Sequence, residues 1–298
     1  MEKSVYEKII QKKEFSNLPK KDVELAFSQF ERRQTSDEDK IKLTRDLLRK
    51  VFSVFGSEKL LTGKKINPEF VLKKHISTRE RLEDYNNIYS RIFSLEFSSP
   101  PTHPFAPSAQ ILSRRRSLSH SPSFGTNFSV IDLGCGVNGF SFNFMKKFGV
   151  KSYIGVEAMG QLVDLTNKYF ESEKILGKVF HESLFELEKI KKIITEWGSF
   201  TKRTYNGRKS KNAKIIFLFK TLDSLEMLER DYSKKLLKEI VPLADKVVVS
   251  FATRSLVART KFFAKRNWII DFIKENFSVI DEFETDGEKY LVLSTQRN

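Results

Sequence analysis

One cysteine in 298 residues leaves no partner for a disulfide and no cluster for a zinc or iron–sulfur site. Four histidines stand apart, with no HxxxH or HxH pair, so no metal centre is expected. No stretch approaches the roughly 18 apolar residues of a membrane span, and the opening MEKSVYEKII is charged throughout. Neither a transmembrane helix nor a signal peptide is expected, which reads as a soluble cytoplasmic protein. A monomer is expected.

Acid is scarce in places. The chain carries 53 Lys+Arg against 38 Asp+Glu, a formal charge of +15, which favours a polyanionic partner, nucleic acid before a membrane surface. Residues 128–200 balance at nine charges of each sign. The surplus lies elsewhere: residues 1–98 are +5, residues 99–127 hold three arginines and no acid, and residues 201–298 are +7. Two runs in the last block, Lys202 to Lys214 and Arg254 to Arg266, contain six and five basic residues and no acid. One such run alone reads as a solvated face; two beside a neutral block read as a binding surface.

Three segments are predicted. Residues 1–98 show a helical period, with Val23, Phe27 and Phe30, then Leu43, Leu47, Leu48, Val51 and Phe55, at three- and four-residue steps. Residues 99–127 contain five prolines and the run RRRSLSHSPS, a flexible insertion. Residues 128–298 alternate strand and helix. Strands are expected at Phe128–Leu133, Ser152–Glu157, Lys178–His181, Lys214–Phe219, Lys246–Phe251, Ser278–Phe283 and Lys289–Ser294. The last two form an antiparallel hairpin turning at Asp286-Gly287. The fold class is α/β, a seven-stranded, mostly parallel sheet of Rossmann-like type ending in a hairpin, with a helical N-terminal region.

The informative motif is Val130-Ile131-Asp132-Leu133-Gly134-Cys135-Gly136-Val137-Asn138-Gly139, which ends one strand and opens a helix. Glycines there let the backbone turn tightly and approach a ligand. Glu157 ends the next strand, 18 residues after Gly139. This spacing fits the dinucleotide fingerprint and equally an S-adenosylmethionine loop. Asp132 favours the second, because a pyrophosphate gains nothing from a nearby carboxylate, whereas a sulfonium with a free ammonium does. A dehydrogenase and a purely structural glycine turn are the alternatives. Glu157 can then accept both ribose hydroxyls, its alternative being a surface carboxylate at a strand end. Ser183 and Leu184 fall after the third strand, where the adenine is edged. Cys135 reads as a small packed residue inside the loop rather than a nucleophile.

The methyl acceptor is constrained by what is missing. Carbon-5 of a pyrimidine needs a nucleophilic thiol, and the one thiol sits in the glycine loop. An exocyclic amine is served by an [N/D]-P-P-[Y/F] element after the fourth strand, where this chain has Phe219-Lys220-Thr221-Leu222-Asp223. A ring nitrogen such as guanine N7 has an in-plane lone pair and needs only alignment, so no catalytic residue is assigned.

Three further strings are more specific: His75-Ile76-Ser77-Thr78-Arg79-Glu80-Arg81-Leu82, Phe217-Leu218-Phe219-Lys220-Thr221-Leu222-Asp223-Ser224-Leu225-Glu226, and Ser250-Phe251-Ala252-Thr253-Arg254-Ser255-Leu256-Val257-Ala258-Arg259. With the glycine loop they resemble the Arm/Rmt (FmrO-type) 16S rRNA guanine-N7 methyltransferases, which confer aminoglycoside resistance. The resemblance spans about residues 65–295 without the insertion. It implies an S-adenosylmethionine cofactor, a helical domain that docks on the 30S subunit, and methyl transfer to 16S rRNA. Asp223 stands where the family has proline and Lys214 where it tends to have an acid.

The resemblance implies cofactor contacts at Arg81, Asp132, Gly134, Cys135, Gly136, Glu157, Ser183, Leu184 and Lys220. It implies RNA binding or target positioning at His75, Arg79, Arg254, Arg259, Lys261, Lys265 and Arg266. Ser77-Thr78-Arg79-Glu80 also reads as a capping box, with an apolar stripe beyond it through Tyr85, Ile88, Ile92 and Leu95. Arg81 falls on that stripe and therefore needs an anion, either the methionine carboxylate of the cofactor or a buried structural partner. The same chemistry on tRNA, and an inactive RNA-binding protein of this fold, are the competing functions.

Overall fold

A computed structural model describes residues 1–52, 67–94, 127–197, 204–205, 208–209, 212–253, 266–285 and 287–295. The N-terminal segment is helical as expected: α1 (Lys3–Ile10), α2 (Lys20–Glu31), α3 (Asp37–Val51), α4 (Pro68–Lys74), α5 (Ile76–Arg81) and α6 (Tyr85–Ser94). Local chemistry explains two starts. Ser36 accepts from the Asp39 amide (3.1 Å) ahead of a first turn holding Asp37, Glu38 and Asp39. Asn67 accepts from the Phe70 amide, with Pro68 at the first helical position.

The expected capping box does not form. Helix α5 begins at Ile76 with His75 as its N-cap, so Ser77 is already inside it. The Ser77 hydroxyl bonds the His75 ring, and the Glu80 carboxylate is drawn to Lys220 instead of back to the helix start. Nor is the stripe one continuous helix: a turn at residues 82–84 separates α5 from α6.

All seven strands are present: β1 (Asn127–Leu133), β2 (Val150–Glu157), β3 (Gly177–His181), β4 (Asn212–Phe219), β5 (Lys246–Ala252), β6 (Phe277–Thr285) and β7 (Glu288–Thr295). Strand β1 takes in Asn127, one residue of the expected insertion; residues 99–126 lie outside the described residues. The order is β3-β2-β1-β4-β5-β7-β6, the first five parallel and β7 antiparallel between β5 and β6. Nearly every residue of β1, β4 and β5 is buried. Successive side chains point to opposite faces, so both faces are covered. A two-residue ribbon, Thr204–Tyr205 with Arg208–Lys209, precedes β4.

Helix α6 lies on the sheet rather than with the other N-terminal helices. Tyr89 stacks on Phe217 of β4, and Phe93 packs against Phe128 of β1. Helices α1–α3 are fastened at the carboxyl edge. The Asn17 carbonyl accepts from the Gly160 amide (3.2 Å) and contacts His181 Nε2 (2.8 Å). Gln29 donates to the carbonyls of Met227 (2.7 Å) and Leu228 (3.0 Å), at the end of α10 (Leu222–Leu228). Replacing Gln29→Ala should cost about 1 kcal/mol, the net worth of neutral hydrogen bonds, measured by urea denaturation.

Candidate functional site

The turn after β1 needs a left-handed backbone twice. Gly134 has φ +73° and Gly136 has φ +51°. A Cβ on Gly134 would lie 2.8 Å from Thr221 Cγ2, so only glycine lets the turn pass under the loop after β4. The Gly134 and Cys135 amides donate to the Val156 carbonyl, tying the turn to β2. Cys135 is buried, and its thiol is pushed well above the ordinary range by that burial, so it is packed rather than reactive.

Asp132 lies under this turn, 1% exposed. Tyr153 Oη (2.7 Å) and Asn138 Nδ2 (2.8 Å) both donate to its Oδ2, and Oδ1 remains for the cleft that Asp132 lines. Asn138 is itself set by Tyr85, whose hydroxyl donates to its Oδ1 (3.1 Å). Burial pushes the Asp132 pKa up to about 6 despite both donors. Across the turn, Glu157 accepts from the amides of Gly136 (2.8 Å) and Met159 (2.9 Å). It too is raised by burial. A carboxylate has about four lone-pair sites, so two backbone bonds leave room for further donors.

Arg81 is buried on the opposite wall and has found its anion within the chain. Its Nε donates to Glu288 Oε2 at 2.8 Å, and its guanidinium sits 4.8 Å from the centre of the Phe219 ring. The chain itself thus supplies one anion for Arg81, the buried structural partner expected as the alternative to a ligand carboxylate. Nη2 nevertheless has no hydrogen-bond partner among the described residues, although it is buried. Lys220, expected at the cofactor, lines the cleft with its Nζ held by Glu80 (2.6 Å) and Glu288 (3.2 Å). Glu288 also accepts from the Ser250 hydroxyl. Burial alone would raise Glu288; Arg81 and Lys220 outweigh it and hold it below the usual carboxylate range.

His75, expected among the RNA-facing groups, is buried against Gly136 in the same cleft, its ring carbon 3.4 Å from where a Cβ would stand. Burial, then Arg81 and Lys220, push its pKa down to about 3, so it stays neutral. Arg266, also expected to face RNA, binds at home. Its Nε and Nη2 fork onto the Asp223 carboxylate (2.7–3.0 Å), and Nη1 donates to the Ala252 carbonyl. The same pair accounts for Asp223. Lys214 donates to the Ile194 carbonyl at 2.9 Å and is half-buried. Arg79 is exposed. Arg254, Arg259, Lys261 and Lys265 lie outside the described residues.

These groups converge on one cleft of about 770 Å³ including its open mouth. Arg81, Asp132, Gly134, Cys135, Gly136, Glu157, Leu184 and Lys220 all line it. Ser183 is fully buried beside it, its hydroxyl accepting from the Phe185 amide. The sequence reading missed Glu288, Glu80 and Asp22. Asp22 of α2 is 2% exposed, lines the cleft, and is pushed up to about 7 by burial.

No model of a known protein family matches the sequence, and no curated protein matches it. Solved structures do match over almost the whole chain. The 16S rRNA methyltransferase RmtF in complex with S-adenosyl-L-homocysteine aligns with TM-score 0.67 and 17% identity, over 99% of this chain and 100% of that one. The 16S rRNA methylase RmtB aligns with TM-score 0.64 and 17% identity, over 98% of both chains. An rRNA methylase from Escherichia coli gives TM-score 0.64 and 17% identity, over 98% and 99%. The chain has the class I methyltransferase fold. The alignment takes in the N-terminal helices as well as the sheet, since the matched chains are covered over 98% and 100% of their lengths.

In this class I chain the ion-pair cluster is a structural element in its own right. Arg81→Met should destabilise the protein by about 3 kcal/mol, toward the lower end for breaking a buried pair because Lys220 and Ser250 still serve Glu288. Urea denaturation measures it.

Proposed function

We propose that the protein is an S-adenosylmethionine-dependent methyltransferase that acts on 16S rRNA within the 30S subunit, at guanine N7 in the decoding region. The observation that carries the reading is Asp132, which lines the cleft beneath the glycine turn with both of its donors on Oδ2, and Glu157 across the turn from it. A pyrophosphate would meet the Asp132 carboxylate there, whereas the ammonium of a cationic nucleoside finds a partner in it; Glu157 serves ribose hydroxyls in either case. The sheet also turns back into a hairpin after β5, with no second mononucleotide-binding half. The matched rRNA methylases, one holding S-adenosyl-L-homocysteine, support the same reading.

The residues fit that cofactor on their own geometry. Asp132 Oδ1 suits an ammonium, and the orphaned Arg81 Nη2 suits a carboxylate at the same end of the cleft. Glu157 accepts from ribose hydroxyls. Leu184 and Phe185 offer an apolar wall for a base. When bound, S-adenosylmethionine supplies an electrophilic methyl group on sulfur. The protein's part is to hold that methyl in line with an incoming nucleophile and to keep water out.

The titratable groups at the cleft argue for an acceptor that brings its own lone pair. His75 is neutral but protonates only near 3, which makes it a poor base. Lys220 is held between two carboxylates. A ring nitrogen such as guanine N7 needs no proton removed, so these groups suffice. For the polyanion, a shallow cleft between α1 and α3 is lined by Lys8, Lys12, Lys42 and Arg45, with Glu38 as the acid among its lining residues; Arg49, which also lines it, is already bound to Glu14 and Asp46. Such a surface suits phosphate contacts.

Incubation with radiolabelled cofactor and 30S subunits, naked 16S rRNA or tRNA tests the proposal. Label on 30S subunits with strand scission at N7-methylguanosine is expected; label on tRNA alone overturns the substrate. Glu157→Ala should weaken S-adenosylhomocysteine binding by about 1.5–3 kcal/mol, read by calorimetry. Binding should also depend on pH. Below about 6, Asp132 takes up a proton that a cationic cofactor must displace, so S-adenosylmethionine affinity should fall about tenfold per unit. The Asp132→Asn variant should lose the part of that dependence that sets in near pH 6 and keep whatever Glu157 and Asp22 contribute.

A further inference from the structure

Helix α2 sends one carboxylate into the cleft. Asp22 is 2% exposed, and its Oδ2 has no hydrogen-bond partner among the described residues. It is held there rather than drifting. Its helix is pinned by Gln29 on α10 and, one turn before its start, by Asn17 on Gly160 and His181. Asp22 follows the same helical face as Ala26, four residues on, which is also buried.

The charges around it show which groups of the cleft it neighbours. Asp22 feels Glu157 and Glu186 and is bonded toward Ser183, whereas Asp132 feels Arg81. Glu157 interacts with both Asp132 and Asp22. Asp22 lines the same cleft as Glu157, Leu184 and Phe185, on the side of Ser183. Three amides of the turn at 182–186 are already bonded within the chain: Glu182 N donates to the Glu157 carbonyl, Glu186 N to the Ser183 carbonyl and Phe185 N to the Ser183 hydroxyl.

If Glu157 takes the ribose, as the methyltransferase reading on which this rests requires, the base lies between Glu157 and Asp22. We propose that Asp22 accepts a hydrogen bond from the exocyclic amine of the adenine, so that the N-terminal helical layer completes the cofactor pocket and selects adenine over a 6-oxopurine. A carboxylate oxygen left without a partner in so dry a place costs stability, and an amino group that donates to Oδ2 removes the cost. Hypoxanthine presents an acceptor at the same position and would leave two oxygens facing each other.

The test compares S-adenosylhomocysteine with S-inosylhomocysteine on the full chain by calorimetry. Well above pH 7, where the Asp22 carboxyl is ionised and cannot donate to a 6-oxo group, the native protein should prefer the adenine compound by about tenfold or more, the range of a hydrogen bond to a charged group. Asp22→Ala should shrink that preference to about twofold. Asp22→Asn keeps the side-chain shape and has an amide that can serve either base, so it should narrow the preference as well. A ratio unchanged in either variant, or no preference in the native protein, overturns the proposal. A merely structural role for Asp22 would weaken both ligands together and leave the ratio intact. A native protein that binds neither compound overturns the cofactor reading itself, and this inference with it. A native protein that binds S-adenosylhomocysteine with an unchanged ratio in the variants removes only Asp22.

Discussion

Two cations and one carboxylate are held out of water at the carboxyl edge of the sheet, with a second, half-buried carboxylate beside them. Arg81 comes from α5, Lys220 from the turn after β4, Glu288 from the first residue of β7, and Glu80 from α5 again. Each ion would cost several kcal/mol to bury alone. Together they balance, and Ser250 on β5 satisfies a further oxygen of Glu288. Four separate stretches of chain therefore meet at one point, and none can leave without stranding a charge. Lys220 adopts φ +57° to reach it, an uncommon backbone for a residue with a side chain. Because this cluster forms one wall of the cleft, the cleft's shape depends on the pairing.

Its field reaches the neighbours. With burial, it keeps His75 neutral, and a neutral ring can pack against Gly136 where a charged one could not. On the far side, the aromatic layer does comparable work by hydrogen bonds. Tyr85 and Tyr89 reach from α6 to Asn138 and Ser141; Asn138 and Tyr153 then converge on one oxygen of Asp132. The carboxylate is oriented by neutral donors, so its charge is not cancelled. That contrast separates the two kinds of carboxylate at the site. Glu288 is neutralised and structural, whereas Asp132, Glu157 and Asp22 are raised by burial and keep capacity to bind.

Much of this is legible in the residues before any coordinates. The strands are short apolar runs between turn residues, and each is found within about two residues of its expected ends. Arg81 on an apolar stripe announces a buried anion, though not which one. Glu288 cannot be read that way, because a glutamate beside Asp286-Gly287 in a hairpin looks like a solvated turn. Its burial depends on β7 inserting between β5 and β6, a long-range fact. The capping box misleads for a related reason: Ser77 and Glu80 have the right spacing, and tertiary partners outbid the local bonds. Asp22 was open to the rule applied to Arg81. It shares a helical face with Ala26, and a carboxylate there is as anomalous as an arginine.

The basic surplus also resolves once spent cations are set aside. Arg81, Lys220, Arg266 and Lys214 are bound to groups of their own chain. The described cations that line a common surface sit largely on α1 and α3, where the Arg45 guanidinium also caps the end of α1 at the Lys8 and Ile9 carbonyls. Helix α3 thus has two duties along its length. Lys42 and Arg45 belong to the basic cleft, while Val51 and the following Phe52 reach the wall of the cofactor-sized cleft. On the proposed reading, a surface for RNA and a pocket for the methyl donor then need no linker between them, because one helix contributes to both.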